Sequence, residues 1–147
     1  MQAPSSEARC LSLRKNIDEL PRLAQWVEAW TQQGASPDLA FAIALCVEEA
    51  VANIIMHSTT ADDRLNITVE LKRNGNLLTA QIEDNGRAFD PTGVPSPSPA
   101  ASIEDAKAGD LGIHLMRSFA NGMHYEHRDG RNRLVLRFLE KQAACVG

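Results

Sequence analysis

Leu45-Cys46-Val47-Glu48-Glu49-Ala50-Val51-Ala52-Asn53-Ile54-Ile55-Met56-His57-Ser58 is the stretch whose reading decides the fold. Cys46, Val47, Ala50, Val51, Ile54 and Ile55 recur at three- and four-residue spacing, the period of a helix with one buried stripe. Against that stripe stand Glu49 and Asn53, four apart and so stacked on one face. Core packing has no use for a carboxylate and a carboxamide there, whereas a site that binds a cation and accepts a proton has. Taken alone, Glu and Asn at this spacing more often form a solvated helix edge, so the pair gains meaning only from its surroundings.

Upstream, Ser36-Pro37-Asp38 starts this helix, a capping side chain followed by proline at the first helical position. The helix is expected to run to about His57, a basic residue favoured near a helix C-terminus. Before it, Asn16 or Asp18 caps another helix, with Leu20, Leu23, Ala24, Val27 and Trp30 as its buried stripe and Gly34 beyond its end. Pro21 is tolerated because it lies in the first turn. Cys10 to Leu13 alternates as a short strand, and residues 1–8 are expected to form a loose arm.

Downstream, Leu65, Ile67, Val69 and Leu71 alternate with polar residues as a half-buried strand. Asn74-Gly75-Asn76 turns the chain, and Leu77 to Glu83 returns as a second strand. Asp84-Asn85-Gly86 breaks that strand. The stretch from Phe89 to Leu111, crowded with Pro91, Pro95, Pro97 and Pro99, reads as a loop long enough to be a functional lid, assigned to residues 90–111. Gly112 to Ala120 is expected to be a short helix. Gly122–Glu126 and Leu134–Leu139 close the chain as a hairpin around Asp129-Gly130-Arg131, and the tail from Glu140 is uninformative. This order predicts a two-layer α/β sandwich, a mixed and mostly antiparallel sheet with all helices on one face, in a single domain spanning residues 1–147.

A chain of 147 residues can bury a continuous core, and 44% apolar with 23% charged residues is ordinary for a globular protein. A net charge of −4 with scattered basic residues argues against direct nucleic-acid binding. The densest basic group, Arg128, Arg131 and Arg133, surrounds the last turn. No run is read as reaching the roughly 18 apolar residues of a membrane span, and no leader is recognised, so a bacterial-type cytoplasmic protein without membrane contact is expected. Cys10, Cys46 and Cys145 are odd in number and far apart, which suits reduced thiols, with Cys46 acting as a small core residue.

Two further features join the Glu49/Asn53 pair. Asp84-Asn85-Gly86 is an acid-glycine turn directly after a strand, and Gly109-Asp110-Leu111-Gly112 places glycines immediately before a helix. Glycines there let backbone N–H groups approach a phosphate, and the helix dipole adds to the attraction. In this order the set resembles the GHKL ATP-binding superfamily, which includes gyrase-type topoisomerases, histidine-kinase catalytic domains and the heat-shock-ninety chaperones. Glu49-x-x-x-Asn53 is similar to its N box, Asp84-x-Gly86 to its first glycine box, and Gly109-x-x-Gly112 to its second. With the short chain, Val47 to His57 most resembles the anti-sigma-factor serine/threonine kinases of bacterial partner-switching systems.

That resemblance implies a Bergerat ATP-binding fold over about Cys10 to Phe138 and carries roles position by position. Asn53 is expected to ligate Mg²⁺, an oxygen-preferring ion that bridges phosphates. Glu49 is expected to accept the proton of a substrate hydroxyl as catalytic base. Asp84 would accept from the adenine amino group, Gly86 would let the backbone pass close to the base, and Gly109, Leu111 and Gly112 would frame the phosphates. The implied activity is ATP- and Mg-dependent phosphorylation of a STAS-type anti-sigma-factor antagonist. The implied partners are that antagonist and a sigma factor, with a homodimer as the assembly. Asp110 stands where the second box usually carries another glycine, which keeps an alternative open: a partner-switching module, with or without nucleotide, that transfers no phosphate.

Overall fold

The computed structural model of the chain describes residues 7–58, 64–88 and 108–140. Strand β1 (Glu7–Arg14) leads through a short 3₁₀ turn (Ile17–Glu19) into α1 (Leu20–Thr31), followed by α2 (Pro37–His57), the hairpin β2 (Asn66–Asn74) and β3 (Leu77–Asp84), α3 (Ala108–Phe119), and the hairpin β4 (Gly122–Arg128) and β5 (Arg131–Leu139). The five strands form one sheet in the order β1-β2-β3-β5-β4. Every pairing in it is antiparallel. A sheet of this kind over helices is the α/β two-layer architecture that the sequence predicts.

Local chemistry accounts for the boundaries. Asn16 accepts from the Asp18 N–H at 2.9 Å, so the expected cap starts the 3₁₀ turn and α1 follows with Pro21 in its first turn. Ser36 Oγ accepts from the Leu39 N–H at 3.3 Å and caps α2, with Pro37 first in the helix. In the last turn Asp129 and Gly130 have φ of 54° and 75°, the double positive φ of a tight hairpin. At the β2–β3 turn only Gly75 does, at 62°.

Several boundaries differ from the sequence reading. Residues 7 and 8 are not part of a loose arm, because β1 extends back to pair Glu7 with Arg73 and Ala8 with Lys72; residues 1–6 lie outside the described residues. Helix α3 begins at Ala108, four residues before its expected start, so positions 108–111 of the expected lid are helical and its remainder, 90–107, lies outside the described residues. Glycine costs a helix only about 0.5–1 kcal/mol relative to alanine, through backbone entropy, so Gly109 and Gly112 do not prevent it. The expectation that no stretch has the length and apolarity of a membrane span also fails. Pro37–His57 passes that test, and here it is the core helix, burying Ala42, Ile43, Cys46, Val47, Ala50, Val51 and Ile55.

The period-two pattern of the strands puts Leu13, Ile67, Val69, Leu71, Leu78, Ala80, Ile82, Leu134, Leu136 and Phe138 on the inner face, against α1 and α2. The outer face is polar. There Glu83 meets Arg131 and Arg133 at 3.6 and 3.8 Å, and Arg133 meets Glu126 at 3.1 Å. These half-exposed pairs contribute little to stability, so the inner face holds the fold together. Phe138 is fully buried in that face. Phe138→Ala should therefore lower unfolding free energy by about 3–5 kcal/mol in urea denaturation, whereas Arg131→Ala on the outer face should change it by less than about 1 kcal/mol.

Candidate functional site

Anchors at the two ends of the sheet set the direction of the helices. At one end the Ser36 N–H, ahead of α2, donates to the Glu140 carboxylate at 3.2 and 3.3 Å. At that same end, just after α3, Asn121 Oδ1 accepts from the Leu139 N–H at 2.9 Å. At the opposite end Lys15 Nζ donates to the carbonyl of Ser58, which closes α2, at 2.9 Å. Helix α2 thus runs toward the Asp84 end of the sheet and α3 runs away from it. Phe41, early in α2, accordingly meets Phe119, last in α3, edge to face at 6.0 Å between ring centroids. Over its 12 residues α3 spans about 18 Å. Its first turn therefore lies toward the end where the second half of α2 and the Asp84 turn are found.

Three of the sequence-predicted segments thus gather at one end of the molecule. Glu49 and Asn53 are half-buried on the same side of α2, and His57 is exposed in its last turn. Burial pushes the Cys46 thiol up to about 12, with the charge of Glu49 as the second cause. Burial also raises the pKa of Glu48, again with Glu49 as the second cause. Gly109, Leu111 and Gly112 do not precede α3 as expected but lie in its opening turns. The backbone N–H of Gly109 is in the first turn, where helix N–H groups lack intrahelical acceptors, whereas Leu111 and Gly112 lie where the helix ladder has begun.

Asp84 is the last residue of β3 and only 6% exposed. Its Oδ1 accepts from the Gly86 N–H at 2.8 Å and from Asn132 Nδ2 at 3.0 Å. Among the described residues no hydrogen bond reaches Oδ2. Gly86 is buried, and a Cβ there would lie 2.8 Å from Asp84 Oδ1 and 3.0 Å from Ser58 Oγ. The turn thus packs on the end of α2 only because position 86 has no side chain. Asn85 faces away from this pair: its Oδ1 accepts from the Asn66 N–H and its Nδ2 donates to the Arg64 carbonyl, both at 2.7 Å.

Sequence reasoning missed Asn132, also 6% exposed and directly opposite Asp84 in the β3–β5 register. Its Nδ2 donates not only to Asp84 but to the carbonyls of Gly86 at 3.2 Å and Arg87 at 2.9 Å. Its Oδ1 accepts from the Tyr125 hydroxyl and lies 3.2 Å from His127 Nδ1. The one signal in the sequence was an asparagine where the strand pattern places a core residue, two before Leu134. It fell between the Asp129-Gly130-Arg131 turn and the expected strand start at Leu134, whereas β5 begins at Arg131.

A family model of the histidine kinase-like ATPase domain matches residues 13–138, nearly the whole described fold. The chain belongs to the histidine kinase-like ATPase domain family. It is 40% identical over 101 residues to the serine/threonine-protein kinase BtrW of Bordetella bronchiseptica, covering 69% of this chain and 71% of that protein. Among solved structures it is similar to the RsbU and RsbW domains of Rv1364c from Mycobacterium tuberculosis, with a TM-score of 0.67 at 15% identity. That match covers 91% of this chain and 32% of the larger protein, so the chain spans about a third of its length. It is also similar to the histidine kinase domain of the blue-light-activated kinase from Erythrobacter litoralis EL346, with a TM-score of 0.54 at 15% identity over 85% of this chain and 61% of the other. At these identities the two structures speak for the fold alone. Membership of this family carries ATP use, ordinarily with Mg²⁺, and the 40% identity to BtrW supports kinase activity.

Two outcomes follow from the site geometry. Gly86→Ala should lower the melting temperature and shift the amide resonances of Asp84 and Ser58, since the new methyl must displace one of them. Glu48 carries a raised pKa in the folded state, so ionising it opposes folding above its ordinary range, and the penalty is relieved as pH falls through the window from the raised value to about 4.5. Glu48→Gln should therefore raise the melting temperature at pH 7, with the gain shrinking as the pH is lowered through that window.

Proposed function

We propose that the chain is a protein serine/threonine kinase that transfers the γ-phosphate of ATP to a hydroxyl of a STAS-type anti-sigma-factor antagonist. The observation that carries this reading is the Asp84 turn. A nearly buried carboxylate has one oxygen held by Gly86 and Asn132 and the other without a donor among the described residues, in a chain of a nucleotide-binding family. That second oxygen stays open to a donor from outside the protein, and the amino edge of an adenine supplies one. The site also fits the metal that accompanies the nucleotide: Asn53 offers a carboxamide oxygen, a hard donor suited to Mg²⁺, on the half-buried side of α2. When bound, Mg²⁺ held by Asn53 would neutralise phosphate charge.

The remaining steps belong to the chain. Asp84 orients the base, and Gly86 keeps the backbone close enough for it to do so. The N-terminus of α3 attracts the phosphates. Glu49, one turn before Asn53 on the half-buried side of α2, accepts the proton of the attacking hydroxyl. BtrW is named a serine/threonine-protein kinase, which supports a hydroxyl acceptor over a histidine. By resemblance to the anti-sigma-factor kinases, the same protein would hold a sigma factor, as a homodimer, when its antagonist is phosphorylated.

The test is incubation of the full chain with Mg·ATP and a STAS-domain antagonist, read by phosphopeptide mass spectrometry. Phosphoserine or phosphothreonine should form with the wild type and fall at least ~100-fold with Glu49→Ala. Asp84→Asn should weaken ATP binding about tenfold or more in calorimetry. ATP binding without any phosphate on the antagonist would instead establish a partner-switching module, the reading that Asp110 keeps open. No ATP binding would overturn the kinase.

A further inference from the structure

We propose that Asn132 is a positioning and base-discriminating residue of the nucleotide site, and that it acts by holding Asp84 so that one carboxylate oxygen is left for a 6-amino purine. This rests on the reading of Asp84 as the base acceptor and adds to it a residue on a different strand, in no glycine box. Asn132 and Asp84 face each other across β3 and β5 with 48 residues between them in the chain. Both are almost wholly buried.

The amide of Asn132 can point only one way. Its nitrogen faces three acceptors: Asp84 Oδ1 at 3.0 Å, the Gly86 carbonyl at 3.2 Å and the Arg87 carbonyl at 2.9 Å. Its oxygen faces the Tyr125 hydroxyl, which donates, and His127 Nδ1 at 3.2 Å, which donates in the tautomer carrying its proton there. Turning the amide over would set its oxygen against a carboxylate and two carbonyls and leave its nitrogen toward the tyrosine hydroxyl. Tyr125 and His127, two apart on β4, lie on the same face of that strand, so they act on Asn132 together.

The consequence is selective. With Oδ1 engaged by two N–H donors, the Asp84 carboxylate cannot rotate freely, and Oδ2 keeps its acceptor capacity in a defined place. A 6-amino group can donate to it. A 6-oxo group presents a second acceptor, leaves the carboxylate unpaired and is rejected. The same asparagine ties the Gly86–Arg87 backbone to β5, so the base acceptor and the turn beneath it move as one unit.

The experiment measures binding of ATP and of inosine triphosphate to the full chain by calorimetry, for wild type, Asn132→Leu and Tyr125→Phe, with melting temperatures recorded alongside. The wild type should favour ATP. Asn132→Leu should reduce the ATP-to-ITP affinity ratio about tenfold by weakening ATP, while ITP binding holds. Tyr125→Phe keeps the amide but removes one of the donors that orient it, and should reduce the ratio about threefold; it decides the matter alone if Asn132→Leu does not fold. A ratio unchanged in these variants, with both nucleotides weakened equally or not at all, would make Asn132 a structural residue and overturn the inference while leaving the nucleotide site intact. Failure of the wild type to bind either nucleotide would overturn the site and the inference together.

Discussion

The packing of α2 against the inner face of the sheet is the interaction on which the rest of the structure depends. Seven residues of α2 are buried there, and β2, β3 and β5 meet them with an unbroken alternation of apolar side chains. Because side chains alternate with a period of two, the register that turns Ile82, Leu134 and Leu136 inward also turns Asp84 and Asn132 inward. The polar pair is thus a continuation of the core rows at the end of the sheet, and no separate loop is needed to create it.

Burying a carboxylate in such a row is unfavourable unless its oxygens are satisfied. Here the Gly86 N–H and the Asn132 amide meet one oxygen. Gly86 is required sterically as well as for its N–H, because a side chain would strike the same carboxylate and the serine that ends α2. Core packing, turn chemistry and the end of a helix are therefore bound into one arrangement. The antiparallel return of α3 brings the start of a helix to that end, near an α2 whose half-buried side carries Glu48 and Glu49.

The outer face of the sheet behaves differently. Its arginines and glutamates pair across strands at the surface, where solvent screens them, and they keep this face polar more than they stabilise it. The division between an apolar inner face and a charged outer one is already visible in the alternation of β2 and β5.

Much of this was legible from the residues alone. The helix from Pro37 to His57, its Ser36 cap, the two hairpin turns and the Asp84 break all stand where periodicity and turn chemistry put them. The start of α3 was misread because glycine signals an interruption, yet its entropic cost of about 0.5–1 kcal/mol is small enough for a helix to contain it. The length of β1 was missed because Glu7 and Ala8 carry no strand signal of their own and are strands only by pairing with β2. By itself the sequence determined the elements, their order and the residues Glu49, Asn53, Asp84 and Gly86, since period, caps and turns are properties of neighbouring residues. Only the tertiary structure decided that Asn132, Tyr125 and His127 close around Asp84, because strand register brings together groups that no local pattern relates.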